Sequence, residues 1–303
     1  MAEIRGWDIA QLPTWNVDWL WNGYIARRNL SLISSWPKIG KSTLLFSFFQ
    51  SFFASEEFLG LPTAAAPTVL LTEEPVPLLR QRRDALGLAT APLHILPLQP
   101  GLSWPRCIAY IKGKIVNGCG LVVIDTFSRF WGIDDENDAA KVNRALDPLF
   151  ILTRTHDVAI LGLHHTRKAG GPGGSGVRGS NALTGAVDIS IELGRVHPYD
   201  KTPRRRLESI SRYDETPGTF LVHLTNSGYE LLDEQVDATE QRLMAIVGES
   251  AGISAGDLAD ELMMGERNVQ RLLTEMSGRG ILDRTGSGSG SSPFLYTVRA
   301  KEE

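Results

Sequence analysis

Short apolar runs alternate with amphipathic stretches through the first two thirds of the chain. Asn29 to Ser34, Pro67 to Thr72, His94 to Leu98, Gly120 to Thr126 and Val158 to Leu163 are rich in Leu, Ile and Val and poor in charge. That is the pattern of strands buried on both faces of a parallel sheet. Between them, Thr43 to Phe53, Arg106 to Val116 and Ala139 to Thr155 read as helices. So does a segment opened by Pro75, which sets Leu78, Leu79, Arg82 and Leu86 at helical spacing. Val187 to Leu193, Arg206 to Arg212 and Phe220 to Leu224 alternate as strands, and Arg204 to Arg206 read as the solvated start of a hairpin. The order predicts an α/β domain, a mainly parallel sheet covered by helices.

From Asp237 the pattern changes. Thr239 to Val247, Ser254 to Leu262 and Glu266 to Ser277 are three helical segments, with Ser254 as N-cap and Asp257 at the capping-box position. Ile281 to Thr285 and Phe294 to Val298 read as two strands joined by a Gly- and Ser-rich turn. Three helices and a hairpin predict a small C-terminal winged helix-turn-helix domain. Its third helix would expose Arg267, Asn268, Gln270, Arg271 and Thr274, types suited to DNA. Residues 236–303 nevertheless hold seven Lys/Arg against eleven Asp/Glu. Duplex DNA and a protein partner both stay open. The expected division is an aromatic-rich N-terminal arm at 1–27, an ATPase domain at 28–232 and the winged helix at 236–303. The arm, with Trp7, Trp15, Trp19 and Trp21, could wall a base, pack on a neighbouring subunit or cover the core.

Composition narrows the class. No apolar run approaches the length of a membrane span, and the N-terminus lacks a signal-peptide pattern. Cys107 and Cys119 are the only cysteines, which points to reduced thiols and a cytoplasmic protein. The net charge of −4 means that any nucleic-acid contact must use locally concentrated basic residues.

Candidate chemistry starts where the first strand breaks. Ser35-Trp36-Pro37-Lys38-Ile39-Gly40-Lys41-Ser42-Thr43 joins a buried strand to an abrupt helix. Such a turn aims backbone N–H groups at an anion. Lys41 would neutralise the β- and γ-phosphates, and the Ser42 hydroxyl would hold Mg²⁺. Ser35 stands where the full pattern has its first Gly, and Lys38 adds a second positive charge inside the loop. The second strand ends in Glu73-Glu74, and a carboxylate there could polarise an attacking water, with Glu73 favoured. Leu121 to Asp125 are four apolar residues followed by an acid, the pattern that brings Asp125 to the Mg²⁺ near Ser42. A further strand ends in His164-His165, either of which could report the γ-phosphate. Phe127 to Asp138 read as an exposed loop carrying Arg129, Phe130 and Trp131. Thr166 to Ser180 form a Gly-rich segment with Arg167, Lys168 and Arg178, either a loop that contacts nucleic acid or a linker.

The ordered set Pro-Lys-Ile-Gly-Lys-Ser-Thr at 37–43, Thr-Glu-Glu at 72–74, Leu-Val-Val-Ile-Asp-Thr at 121–126, Glu-Asn-Asp at 136–138, His-His-Thr-Arg-Lys at 164–168 and Arg-Gly-Ser-Asn-Ala-Leu-Thr-Gly at 178–185 covers roughly residues 15–230. It resembles the RecA-fold ATPases of the RepA-type hexameric helicase family of plasmids, phages and other mobile elements. The resemblance implies a RecA-like P-loop core, ATP and Mg²⁺ as cofactors, and a homohexameric ring with nucleotide between subunits. It implies Glu73 as catalytic glutamate, Asp125 as Walker B acid and His164 or His165 as sensor. It also implies Arg178 and Arg212 as fingers supplied by a neighbour. Relatives often carry Lys two residues before the Arg212 position, where this chain has Ile210. Loops with Arg129, Arg167 and Lys168 would face a central channel and hold single-stranded DNA. The expected activity is ATP-driven DNA translocation, as a replicative helicase. The alternative is a DNA-associated ATPase that does not unwind and is targeted by its winged helix.

Overall fold

A computed structural model describes residues 8–11, 16–165, 181–196, 202–232, 234–278, 280–288 and 293–299. In chain order the elements are β1 (Trp19–Trp21), β2 (Ile25–Ala26), β3 (Leu30–Ser35), α1 (Lys41–Ala54), β4 (Thr68–Thr72), α2 (Val76–Ala85), β5 (Leu93–Pro97), α3 (Trp104–Val116), β6 (Leu121–Asp125), α4 (Phe127–Phe130), α5 (Ala139–Thr155) and β7 (Ala159–His165). Then follow α6 (Asn181–Ala186), β8 (Ile189–Arg195), β9 (Arg204–Ser211), β10 (Thr219–Leu224) and β11 (Tyr229–Leu231). The C-terminal part holds α7 (Glu234–Glu249), β12 (Ile253–Ser254), α8 (Ala255–Leu262), α9 (Glu266–Gly278), β13 (Leu282–Thr285) and β14 (Leu295–Val298).

One nine-stranded sheet, ordered β11-β10-β9-β8-β3-β7-β6-β4-β5, organises the larger part. The strands from β8 to β5 run parallel, and β9, β10 and β11 add an antiparallel end. Four of the five apolar strands expected from sequence, β3, β4, β6 and β7, sit inside the sheet, where a strand is buried on both faces, whereas β5 forms its edge and is only partly buried. On one face Ile33, Leu70, Leu161, Ile191, Leu207 and Val222 pack against the Phe-rich side of α1. On the other Leu32, Val69, Val122 and Ile160 pack against α3, α5 and α6. Leu20, Trp21, Tyr24 and Ile25 of the β1–β2 hairpin join the α1 side. From Trp19 onward the aromatic lead-in is therefore core, the third of the roles open to it.

The segment after β6 departs from expectation. An exposed loop was expected at 127–138, but Phe127, Phe130 and Trp131 are buried in a short helix and its continuation. Their spacing is helical, and Phe127 stacks on Trp131 at 5.2 Å between ring centroids. Gly162 of β7 makes room for them, since a Cβ there would fall inside the Phe127 ring. Phe130 and Trp131, expected on that exposed loop, are thus committed to the core.

In the C-terminal part α7, α8 and α9 and the three-stranded sheet β12-β14-β13 share a separate apolar cluster that includes Leu243, Leu258, Leu273 and Tyr296. Ser254 caps α8 as expected, its Oγ accepting the Asp257 N–H at 3.2 Å. Arg267, Asn268, Arg271 and Thr274 are exposed on α9, whereas Gln270 turns inward and donates to Tyr296 Oη at 2.8 Å. No helix among the described residues is long and apolar enough to cross a membrane.

Gly162→Ala should destabilise the larger part by about 1–3 kcal/mol, the usual cost of overpacking a filled core. Chemical denaturation monitored by tryptophan fluorescence would measure it. An unchanged midpoint would show that the Phe127 ring relocates freely.

Candidate active site

The site lies where the parallel strands end and α1 begins. Ser35 is buried at the tip of β3, and the chain turns through exposed Pro37 and Lys38 to buried Ile39. Lys38 and Gly40 adopt left-handed φ angles of 63° and 113°. At Gly40 a side chain would be both strained and obstructed, because its Cβ would overlap the Tyr229 hydroxyl. The turn delivers the backbone straight into α1, whose first turn carries no acidic residue and whose N-cap supplies no side-chain hydrogen bond. The first N–H groups of α1, at Lys41, Ser42 and Thr43, have no partner within the helix and can serve an anion.

Two residues from the antiparallel end brace this turn. Tyr229 Oη and Arg205 Nε both donate to the Ile39 carbonyl, at 3.1 and 3.2 Å. Arg205 is buried, contrary to the solvated hairpin expected at Arg204 to Arg206; strand alternation turns it inward while Arg206 faces out. Burial pushes the Tyr229 hydroxyl up to about 12, so it stays a donor. Gly228 lets β11 approach α1 closely enough for the Tyr229 N–H to reach Ser47 Oγ at 3.3 Å, and Ser47 in turn donates to the Thr43 carbonyl.

Lys41 and Asp125 share the interior of the site. Lys41 is 4% exposed and its Nζ lies 3.3 Å from His165 Nδ1. Burial lowers its pKa, and the nearby Asp125 and Glu73 charges oppose that shift. Asp125 is 2% exposed and accepts from Ser42 Oγ at 3.2 Å. Burial drives it up to about 6, against the pull of Lys41. The folded chain therefore holds this proton more tightly than the unfolded chain does. The group's contribution to stability falls as pH rises from the ordinary carboxylate range to about 6, and is level above. Burial first, then Lys41, lowers the His165 pKa, which keeps the ring neutral beside the ammonium.

Adjacent residues in each doublet have separate environments. Glu73 Oε1 accepts from Thr126 Oγ1 at 3.3 Å, and Oε2 pairs with Arg129 Nε at 2.7 Å. Glu74 instead makes a two-point pair with Arg82 of α2, at 2.9 and 3.0 Å. His165 faces Lys41, while His164 is buried with its Nε2 3.6 Å from Glu136 and its ring 5.8 Å from Trp131. Arg129, expected on a DNA-binding loop, thus touches the site itself. Arg212 lies just past β9, at the end of the strands opposite to Lys41, 3.8 Å from Asp188. Arg167, Lys168 and Arg178 lie outside the described residues. Arg267 and Arg271 stand on α9. Sequence reasoning missed Arg205 and Tyr229, which are joined to Ile39 over separations of 166 and 190 residues.

Removing the Arg205 guanidinium leaves a buried carbonyl short of a charged donor, a loss of roughly 1.5–3 kcal/mol. Arg205→Ala should lower the unfolding midpoint and weaken nucleotide binding, measured by titration calorimetry. Native affinity in this variant would show that the brace is dispensable.

The geometry agrees with comparison to known proteins. The sequence profile of a family described as an AAA domain matches residues 5–171. No curated protein matches the chain. Among solved structures, one described as the crystal structure of the RadB recombinase superposes with a TM-score of 0.51 at 13% identity. The match covers 69% of this chain and 93% of that one, a likeness of fold alone. With a phosphate-type loop, a buried acid beside its serine and a mostly parallel sheet, this chain belongs to the AAA domain family and has a RecA-like P-loop ATPase core.

Proposed function

We propose that the protein is an ATP-dependent DNA-translocating ring ATPase, a replicative helicase of a plasmid, phage or other mobile element. The observation that carries the ATPase chemistry is the convergence of Lys41, Ser42, Glu73, Asp125 and His165 on one end of the sheet. ATP would be held by residues 35–43, with Lys41 against the β- and γ-phosphates. Bound Mg²⁺ would supply charge neutralisation on the phosphates. The donor set fits it: Ser42 Oγ and the Asp125 carboxylate are together, and Mg²⁺ takes its other ligands from water and phosphate. Glu73 would orient and deprotonate an attacking water, and His165, next to Lys41, would sense phosphate.

Ring assembly is supported by where Arg212 stands. A six-residue strand spans about 20 Å, so Arg212 cannot reach the phosphate site of its own chain and would act on a neighbour's. A finger supplied in this way stabilises transition-state charge and makes hydrolysis depend on assembly. Single-stranded DNA would run along loops in the ring's channel. We read α7 to α9 and their sheet as a winged helix at 236–303. Exposed Arg267, Asn268 and Arg271 on α9 favour a second reading, a DNA-associated ATPase that does not unwind and is targeted by this domain.

ATP turnover with and without single-stranded DNA, beside mass photometry in Mg²⁺ and a non-hydrolysable analogue, tests both. Hexamers with DNA-stimulated turnover are expected. Monomers or dimers indifferent to single strands would sink the ring. Arg212→Ala should bind nucleotide yet lose hydrolysis, and mixing it with Glu73→Gln protein should restore part of the activity. No restoration would remove the trans role.

The buried acid gives a pH signature. Mg²⁺-nucleotide must displace the proton that Asp125 holds below about 6, so affinity should fall as pH drops through that value. Asp125→Asn should bind more weakly at neutral pH and lose this acid limb. An unchanged limb in the variant would assign the titration elsewhere.

A further inference from the structure

We propose that Arg154 is a second arginine that acts on a neighbouring subunit's nucleotide, and that Asp188 is the positioning residue that holds it beside Arg212. The inference rests on Arg212 reaching a neighbour's phosphates in a ring, and it adds a cation from another part of the chain. Asp188 stands just before β8, at the end of the strands opposite to Lys41. It is 4% exposed, and both of its oxygens are used. Oδ2 accepts the Leu30 N–H at 2.9 Å, which ties the carboxylate to the start of β3. Oδ1 accepts from Arg154 Nη2 at 2.7 Å, and the same oxygen lies 3.8 Å from Arg212 Nη1. One buried anchor thus sets two guanidinium groups side by side, from the last turn of α5 and from the end of β9.

The anchor is fixed and the heads are accessible. The Arg154 and Arg212 side chains are 48% and 69% exposed. One arginine would neutralise Asp188, so among the described residues the second leaves a positive charge in excess at this carboxylate. The next acids do not remove it, because Asp18 lies against Arg27 and Asp157 against Arg27 and Arg28. Arg154 uses one N–H on Asp188 and one on the Arg28 carbonyl, and a guanidinium carries more. Donors therefore remain for a ligand. A cavity of about 590 Å³ opens beside Arg154, with Arg27, Arg28 and Tyr213 also on its wall, so an anion has room to enter. Neighbouring guanidinium forks match the paired oxygens of a phosphate, and each stabilises the charge that spreads over a γ-phosphate in transfer. Like Arg212, Arg154 stands a strand's length from Lys41 of its own chain, so the phosphate it meets is another subunit's.

The test is steady-state ATP hydrolysis by full chains, alone and in mixtures. Arg154→Ala alone should lose about tenfold to a hundredfold in kcat, the range for a charged hydrogen bond, while still binding a fluorescent ATP analogue. Arg154→Lys keeps the charge and should recover part of that loss. Glu73→Gln lacks the hydrolytic carboxylate but carries both arginines, so mixing it with Arg154→Ala should restore turnover. A Glu73→Gln chain that also carries Arg154→Ala should restore none. A structural defect could not give this contrast, because it would stay with the Arg154→Ala subunit whichever partner is added. Asp188→Asn keeps an acceptor for the Leu30 N–H; its kcat should fall in the same direction and return on the same mixing. Native turnover in Arg154→Ala, or equal restoration by both partners, overturns the inference. Arg212→Ala serves as the reference. If mixing restores Arg212→Ala but not Arg154→Ala, the ring reading stands and the role of Arg154 is overturned. If it restores neither, the ring reading itself falls and this inference falls with it.

Discussion

Lys41 and Asp125 are withdrawn from water together, and most of the surrounding architecture follows from that requirement. Burial pushes the two groups in opposite directions, the ammonium toward losing its proton and the carboxyl toward keeping one. Their mutual attraction opposes both shifts. A buried pair of this kind is weak evidence of stability, because desolvation offsets much of the Coulomb gain. It is better understood as preorganisation. A polyphosphate with its cation would satisfy both charges at once, and the fold holds them ready at the cost of its own stability in the meantime.

Holding them ready demands a rigid turn, and the turn is not rigid by itself. Its two left-handed residues and the uncapped start of α1 would be free to rearrange without a brace. The brace comes from the antiparallel end of the sheet, through Arg205 and Tyr229 on the Ile39 carbonyl. Strands β9 to β11 are therefore more than an edge extension. They are the support that fixes the shape of a loop far away in sequence, and Gly40 and Gly228 are the points where backbone must come close enough for that support to work.

The parts of this arrangement visible in the sequence were the local ones. The apolar runs at Leu121 to Asp125 and Ala159 to Leu163 announce central strands because burial on both faces leaves no room for polar residues. The Gly-Lys-Ser turn announces itself because its chemistry is contiguous. Arg205 was misread for the opposite reason: three consecutive arginines look solvated, and only pairing across β8 and β10 decides which of them points inward. The Phe127, Phe130 and Trp131 spacing was a helical signal that an expectation of a DNA-facing loop obscured. The complementary signal, Gly162 inside a run of Leu and Ile, was equally present.

Strand alternation also explains why doublets could not be resolved in advance. Glu73-Glu74 and His164-His165 each stand at a strand end, where successive side chains part to opposite sides. At each doublet one residue faces the site and its neighbour anchors structure. Glu74 ties α2 to β4 through Arg82, and His164 meets Glu136 and Trp131 beneath the segment that follows α4. The site-facing residues, Glu73 and His165, depend on those anchors for their own placement, since a shift of β4 or β7 would carry both members together. A doublet of ionisable residues at a strand tip is thus an economical way to tie a chemical group to the element that must move with it. It also puts the segment after β6 in contact with two tips at once, through Arg129 at Glu73 and through Glu136 at His164. That double contact ties the segment to the tips of β4 and β7 together.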